Sequence, residues 1–148
     1  MRSHFPKLFF SGKEKRHILE AIREAEARTS GEIRIHIQWR TPDDILAAAA
    51  NVFERLGMTR TRERNGVLIL FGTQKKRFAI AADRGIYEKV PAHFWDTIAA
   101  HLEAEFKRDR FAEGLTQGIL EIGEKLRTFF PASKENPNEL PNRISYSL

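Results

Sequence analysis

The chain has 148 residues, 41% of them hydrophobic and 30% charged, a size and balance that suit one globular domain and exclude wholesale disorder. Its formal charge of +5 comes from 25 basic against 20 acidic residues mixed along the chain. The absence of cysteine excludes disulfides, thiolate metal sites and a cysteine nucleophile, so that any metal must be held by oxygen or imidazole.

Apolar runs in the body of the chain, such as Val67–Phe71, are far short of the roughly 20 residues that a bilayer requires. The polar start "MRSHFPKLFFSGKEKR" lacks the apolar core of a signal peptide. The expected location is therefore the cytoplasm, with no membrane insertion.

In chain order, Ser11-Gly12-Lys13-Glu14 has the spacing of a capping box. It predicts a helix to about Arg28, with Ile18, Ile22 and Ala25 on one face and Thr29-Ser30-Gly31 at its exit. "EIRIHIQW" alternates strictly, with Ile33, Ile35, Ile37 and Trp39 on one side and Glu32, Arg34, His36 and Gln38 on the other, the pattern of a strand with one buried face. His36 is accordingly expected to be exposed. Thr41-Pro42-Asp43-Asp44 reads as an N-cap, a proline at the first helical position and acids in the first turn of an alanine-rich helix. That helix should run toward Leu56 before Gly57, and "TRTRER" is a polar connector.

Asn65-Gly66 leads into "VLILF", which is continuously apolar, as a strand covered on both faces is. Gly72-Thr73-Gln74-Lys75-Lys76 is a loop of hairpin length, and "RFAIAA" returns as an antiparallel partner. Pro91 marks a further helix start, with Phe94, Ile98, Leu102 and Phe106 at four-residue spacing and Trp95 beside them, a set that reads as core. The last helix carries Phe111, Leu115, Ile119, Ile122 and Leu126 on one face, with Gly114 and Gly118 on the same side for close approach of a neighbour. The domain core should span about residues 11–131, and residues 132–148 should form an extended tail.

The order helix, strand, helix, strand, strand, helix, helix predicts a small α/β domain with a mixed sheet between helical layers. With the first strand parallel to "VLILF" and "RFAIAA" antiparallel to it, Glu32, Arg64-Asn65-Gly66 and Asp83-Arg84-Gly85 converge at one sheet edge. Oxygen-rich edges suit hard cations, and Glu32, Asp83, Glu88 and Asp96 are the acids nearest this one. Against that stands a local reading in which Asp83 caps an Asx-type turn and Glu88 is a first-turn acid. No Ser-His-Asp arrangement, phosphate-binding glycine loop or zinc spacing is present. The basic cluster Arg60, Arg62, Arg64, Lys75 and Lys76 could meet nucleic acid by charge, but no aromatic residues interleave with it to stack bases, and nucleic acid is disfavoured as a partner.

The ordered set "TSGEIRIHI", "RNGVLILF", "RFAIAADRGIYEKVPAHFWDTI" and "FAEGLTQGILEIGEKL" resembles the TPM domain family. The tail "NELPNRIS" resembles the short branch of that family, which has neither signal peptide nor membrane anchor. The resemblance implies an α/β/α sandwich and, as in some relatives, divalent metal binding, with calcium first and magnesium second. The metal would sit at the D-x-G corner, here Asp83-Arg84-Gly85, with Glu32, Asn65 and Gly66 beside it. It also implies, from plant members, a phosphatase activity for which Asp83, Arg64 and Arg84 would be the catalytic candidates. The leading expectation is a metal-binding accessory or interaction module with a protein partner, and the alternative is a metal-dependent phosphatase acting on phosphate esters.

Overall fold

The computed structural model describes residues 2–132 and 144–148. A one-turn helix α1 (Pro6–Phe9) precedes α2 (Gly12–Arg28), and α2 opens with the predicted capping box. The Ser11 hydroxyl accepts from the Glu14 N–H at 3.1 Å, and the Glu14 carboxylate accepts from the Ser11 N–H at 2.9 Å. Ser11→Ala should lower stability by about 1 kcal/mol, a loss readable in a chemical denaturation curve.

Strand β1 (Glu32–Gln38) leads through α3 (Ile45–Arg55) and a single 3-10 turn at Met58–Arg60 into β2 (Gly66–Gly72). β3 (Arg77–Ala82), the short α4 (Arg84–Tyr87), α5 (Asp96–Lys107), α6 (Phe111–Leu126) and β4 (Ile144–Ser147) follow. The sheet order is β3-β2-β1-β4. β1 is parallel to both β2 and β4, and β2 is antiparallel to β3, with Glu32 opposite Gly66 and Val67 opposite Ala82.

The result is the expected α/β/α sandwich. One sheet face, carrying Ile33, Ile35, Ile37, Val67, Ile69 and Phe71, packs against α2, α5 and α6. Rings of Phe71, Phe106 and Phe111 lie 5.3 to 5.9 Å apart there, within the range of favourable aromatic contact. The other face, carrying Leu68, Leu70 and Ala79, packs against Ala48, Ala49, Val52 and Phe53 of α3 and against Met58. The helix glycines do what their position on the buried stripe implies. A Cβ on Gly118 would stand 3.1 Å from Leu102, one on Gly114 3.0 Å from Phe106, and one on Gly123 only 2.6 Å from Ala25. Helix approach leaves no room for a side chain at Gly123, while at Gly114 and Gly118 the facing side chain would have to give by a few tenths of an ångström.

Three expectations are corrected. β1 is buried on both faces, because α3 covers the polar side of the alternation; Arg34 and His36 are buried and Trp39 lies beyond the strand. The second long helix is capped by Asp44, whose carboxylate accepts from the Ala47 N–H at 3.0 Å, and not by Thr41. The carbonyls of Pro42 and Asp43 face the Arg77 guanidinium instead, which keeps these residues out of the helix. Pro91 starts a turn rather than the helix: the Phe94 and Asp96 N–H groups reach back three residues to Pro91 and His93, and the regular helix begins at Asp96. Beyond these, the end of the extended tail forms a sheet strand at Ile144–Ser147, where Ile144 and Tyr146 pack on the main core. Residues 133–143 of that tail lie outside the described residues. Phe9 and Phe10, ahead of the expected core span, are buried within it.

Candidate functional site

Strand direction brings the three predicted segments together. The Glu32 N–H donates to the Asn65 carbonyl at 3.3 Å, the Asp83 N–H to the Gly66 carbonyl at 3.0 Å, and the Gly85 N–H to the Arg64 carbonyl at 2.9 Å. The amino ends of β1 and β2 and the carboxyl end of β3 therefore form one corner. Gly85 is required there: a Cβ would lie 2.1 Å from the Glu63 carbonyl oxygen and 2.6 Å from that of Arg64. A Cβ on Gly66 would likewise lie 2.9 Å from the Met58 carbonyl oxygen.

Asp83, 5% exposed, is the hub. Its carboxylate accepts two bonds from Arg64, Nε to Oδ2 at 2.7 Å and Nη2 to Oδ1 at 2.9 Å. This is the paired geometry that a guanidinium and a carboxylate favour. Asp83 also caps α4, its Oδ1 accepting from the Arg84 N–H at 2.8 Å, so the Asp83 part of the local reading holds, whereas Glu88 is the C-cap of α4 and not a first-turn acid. Arg64 reaches Asp83 from a left-handed backbone, φ 51°. Its guanidinium is held charged above the ordinary value, first by the hydrogen bond to Asp83 against a smaller desolvation penalty, with the charges of Asp83, Glu54 and Glu88 adding to it.

The other predicted residues are distributed around this hub. Glu32 and Asn65 are buried at the corner. Glu88 lies exposed at the end of α4, close enough for its charge to act on Arg64. Arg84 is exposed at the start of α4, and Asp96 is exposed in the first turn of α5. Among the described residues, no three His, Asp or Glu side chains form a group able to hold a metal ion. The four proposed acids are thus not gathered as one ligand set.

A polar knot beside the hub was not anticipated. The Ser30 hydroxyl donates to Glu63 at 2.7 Å, and the Asn65 amide donates to Ser30 at 3.1 Å. Its members sit in "TSGEIR" and "RERNG", the same short segments that converge by strand direction.

His36 is 2% exposed, contrary to the alternation, because both α3 and β4 cover it. Its Nδ1 and Nε2 lie 2.7 and 2.8 Å from the hydroxyls of Ser145 and Ser147. Burial, then the charges of Arg55 and Arg34, push its pKa down to about 4. Neutral imidazole suits this setting, since it can accept from one hydroxyl and donate to the other.

The sheet order, the two helical layers and the corner at the D-x-G turn together define a TPM-type α/β/α sandwich. The TPM domain family, whose short name includes the word phosphatase, matches residues 6–125, and the chain belongs to that family. It is similar to the BA42 protein of the psychrophilic bacterium Bizionia argentinensis, known from an NMR structure. The two share 40% identity over 93% of this chain and 95% of that one, with a TM-score of 0.88. The N-terminal domain of a protein from P. gingivalis shares the fold at 18% identity and a TM-score of 0.66, covering 82% of this chain and 78% of that one. No curated protein matches the chain. Among the described residues, no helix is long and apolar enough to cross a membrane.

Proposed function

We propose that this TPM domain is a binding module whose Asp83 corner accepts a divalent cation, calcium foremost, and through it a protein partner. The supporting observation is the Arg64 guanidinium itself, a cation already seated on Asp83 in the field of Glu54 and Glu88. The charge of the corner fits a cation. The ligand set around Asp83 does not yet fit one, because calcium takes about six to eight oxygens and both Asp83 oxygens are engaged by Arg64. Metal binding in this reading is therefore a competition between the ion and the guanidinium for Asp83, with Glu32, Glu88, Asp96 and backbone carbonyls as the further oxygens to be tested.

A calcium titration followed by amide NMR shifts checks this. Expected are shifts at Asp83, Gly85 and Glu88 at millimolar calcium, tighter binding in Arg64→Gln, where the competitor is gone, and none in Asp83→Asn. Spectra unchanged in both wild type and Arg64→Gln would end the metal reading. Magnesium, which demands a near-octahedral shell and keeps its waters, should compete weakly.

The second reading, a metal-dependent phosphatase, rests on the family's name and on Arg64 and Arg84 flanking Asp83. Such arginines could neutralise phosphoryl oxygens, since phosphoryl transfer depends mainly on positioning and charge stabilisation. Turnover of a simple phosphate ester that survives Asp83→Asn unchanged would exclude it. The binding role is favoured because a cation can replace the Arg64 guanidinium on Asp83 in the field of Glu54 and Glu88, whereas attack on phosphorus needs in addition a positioned nucleophile and base.

A further inference from the structure

The end of the sheet opposite the Asp83 corner, where β1, β2 and β4 finish, carries a feature that the cation reading does not use. Backbone bonds tie this end together. The Thr73 and Gln74 N–H groups donate to the carbonyls of Gln38 and Trp39, and the Trp39 and Arg40 N–H groups donate to those of Ser147 and Leu148. The Thr73 hydroxyl donates to the His4 carbonyl, so the segment leading into α1 is anchored on the same end.

In α1 the inward side chains, Pro6 and Phe9, are buried, while Leu8 of the helix and Phe5, the residue that precedes it, point out and are 67% and 54% exposed. The Phe5 ring lies 5.5 Å from that of Trp39, and the Arg40 guanidinium sits 4.7 Å above the Trp39 ring. Lys7 is exposed between Phe5 and Leu8, and Lys75 is exposed on the adjoining β2–β3 loop. The acids of the neighbouring β1–α3 loop are Asp43 and Asp44, and Asp44 is committed to capping α3.

We propose that this end is a peripheral docking surface for an anionic lipid bilayer, with Phe5, Leu8 and Trp39 entering the headgroup boundary and Lys7, Arg40 and Lys75 meeting lipid charge. Exposed aromatic and aliphatic side chains interleaved with Lys and Arg are the chemistry that interfacial binding uses. The cations and the chain's charge of +5 are complementary to an acidic leaflet. The protruding Leu8 separates this reading from single-stranded nucleic acid, where stacking needs flat rings. The surface is far from the Asp83 corner along the strands, so the two readings stand or fall separately.

The test uses the full chain and vesicles of phosphatidylcholine with or without phosphatidylserine. Expected are co-sedimentation with the phosphatidylserine vesicles only, weakening as salt rises, and a blue shift of Trp39 fluorescence in a Trp95→Phe background. Leu8→Ser, and more so Phe5→Ser with Leu8→Ser, should weaken partition by about tenfold or more. Lys7→Gln, Arg40→Gln and Lys75→Gln should each weaken it by about fivefold. Thermal unfolding of the Leu8→Ser variant should match wild type, since that side chain is exposed. The proposal is overturned by no sedimentation at low salt or by equal binding to both vesicle types. It is also overturned if the same substitutions abolish self-association or single-stranded DNA binding while vesicle binding is absent.

Discussion

Gly85→Ala is expected to be the most damaging single-methyl change in the chain, lowering stability by about 3 kcal/mol and the melting temperature by roughly 8 °C. The reason is the identity of the atoms that the new Cβ would strike. Two backbone carbonyl oxygens, of Glu63 and Arg64, stand 2.1 and 2.6 Å away, and a backbone that is pinned by the Gly85 N–H to Arg64 carbonyl bond cannot rotate aside as a side chain would. Relief requires separating α4 from the 63–64 segment. That movement also pulls the Arg64 guanidinium from Asp83, so the substitution should disturb amide signals at both residues. Gly12→Ala is the control. Its Cβ would have only the tip of Arg16 nearby, at 3.7 Å, at the exposed start of α2, and its effect should be neutral or slightly stabilising. A Gly85→Ala protein as stable as wild type would mean that the corner is looser than its geometry implies.

The second large effect is a loss of stability on mild acidification that traces to His36. Its folded-state pKa, about 4, lies below the ordinary 6.5, so the unfolded chain takes up this proton first. The associated stability is fully present above pH 6.5 and is lost as pH falls toward 4. The gap is equivalent to about 3 kcal/mol, of which some 2 to 3 kcal/mol should be gone by pH 4.5. The physical cause is first the burial of a charged imidazole, to which the charges of Arg55 and then Arg34 add. Denaturant midpoints measured at pH 7 and pH 4.5 should differ by that amount in wild type. In His36→Gln, which keeps polar contact to Ser145 and Ser147 without a titrating ring, most of the difference should vanish. An equal pH dependence in the variant would assign it to carboxylates elsewhere.

His36 also shows why part of the structure was hidden from sequence reading. Alternation in "EIRIHIQW" correctly gave a strand, and the side carrying Ile33, Ile35 and Ile37 faces the larger core. The pattern assumes, however, that polar means exposed, and here α3 lies over the polar side while β4 closes it with two serines. β4 itself is four residues of mixed polarity, too short to register as a strand until its partner is known. Asp83 teaches the complementary lesson. Its convergence with Glu32 and Asn65 followed from strand directions alone and is what the backbone bonds display. That Arg64 would claim both of its oxygens depended on a left-handed backbone at Arg64, a local geometry that residue patterns do not encode. The helix ends divide in the same way. The Ser11 capping box was readable because both partners lie within four residues, whereas Thr41 lost its expected role to a contact from Arg77, 35 and 34 residues away from Pro42 and Asp43.

The parallel pairing of β4 with β1 bears on how the molecule is made. β1 finds β2 early, across the α3 crossover, but its other flank stays bare until residues 144–147 have been synthesised, more than a hundred residues later. During that interval the growing chain presents an isoleucine-rich strand with unmatched amide and carbonyl groups, the kind of edge that templates association between chains. Chains that stop before Ile144 should therefore form inclusion bodies more readily than chains that include β4, whose Ser145 and Ser147 meet His36 on the flank that β4 covers.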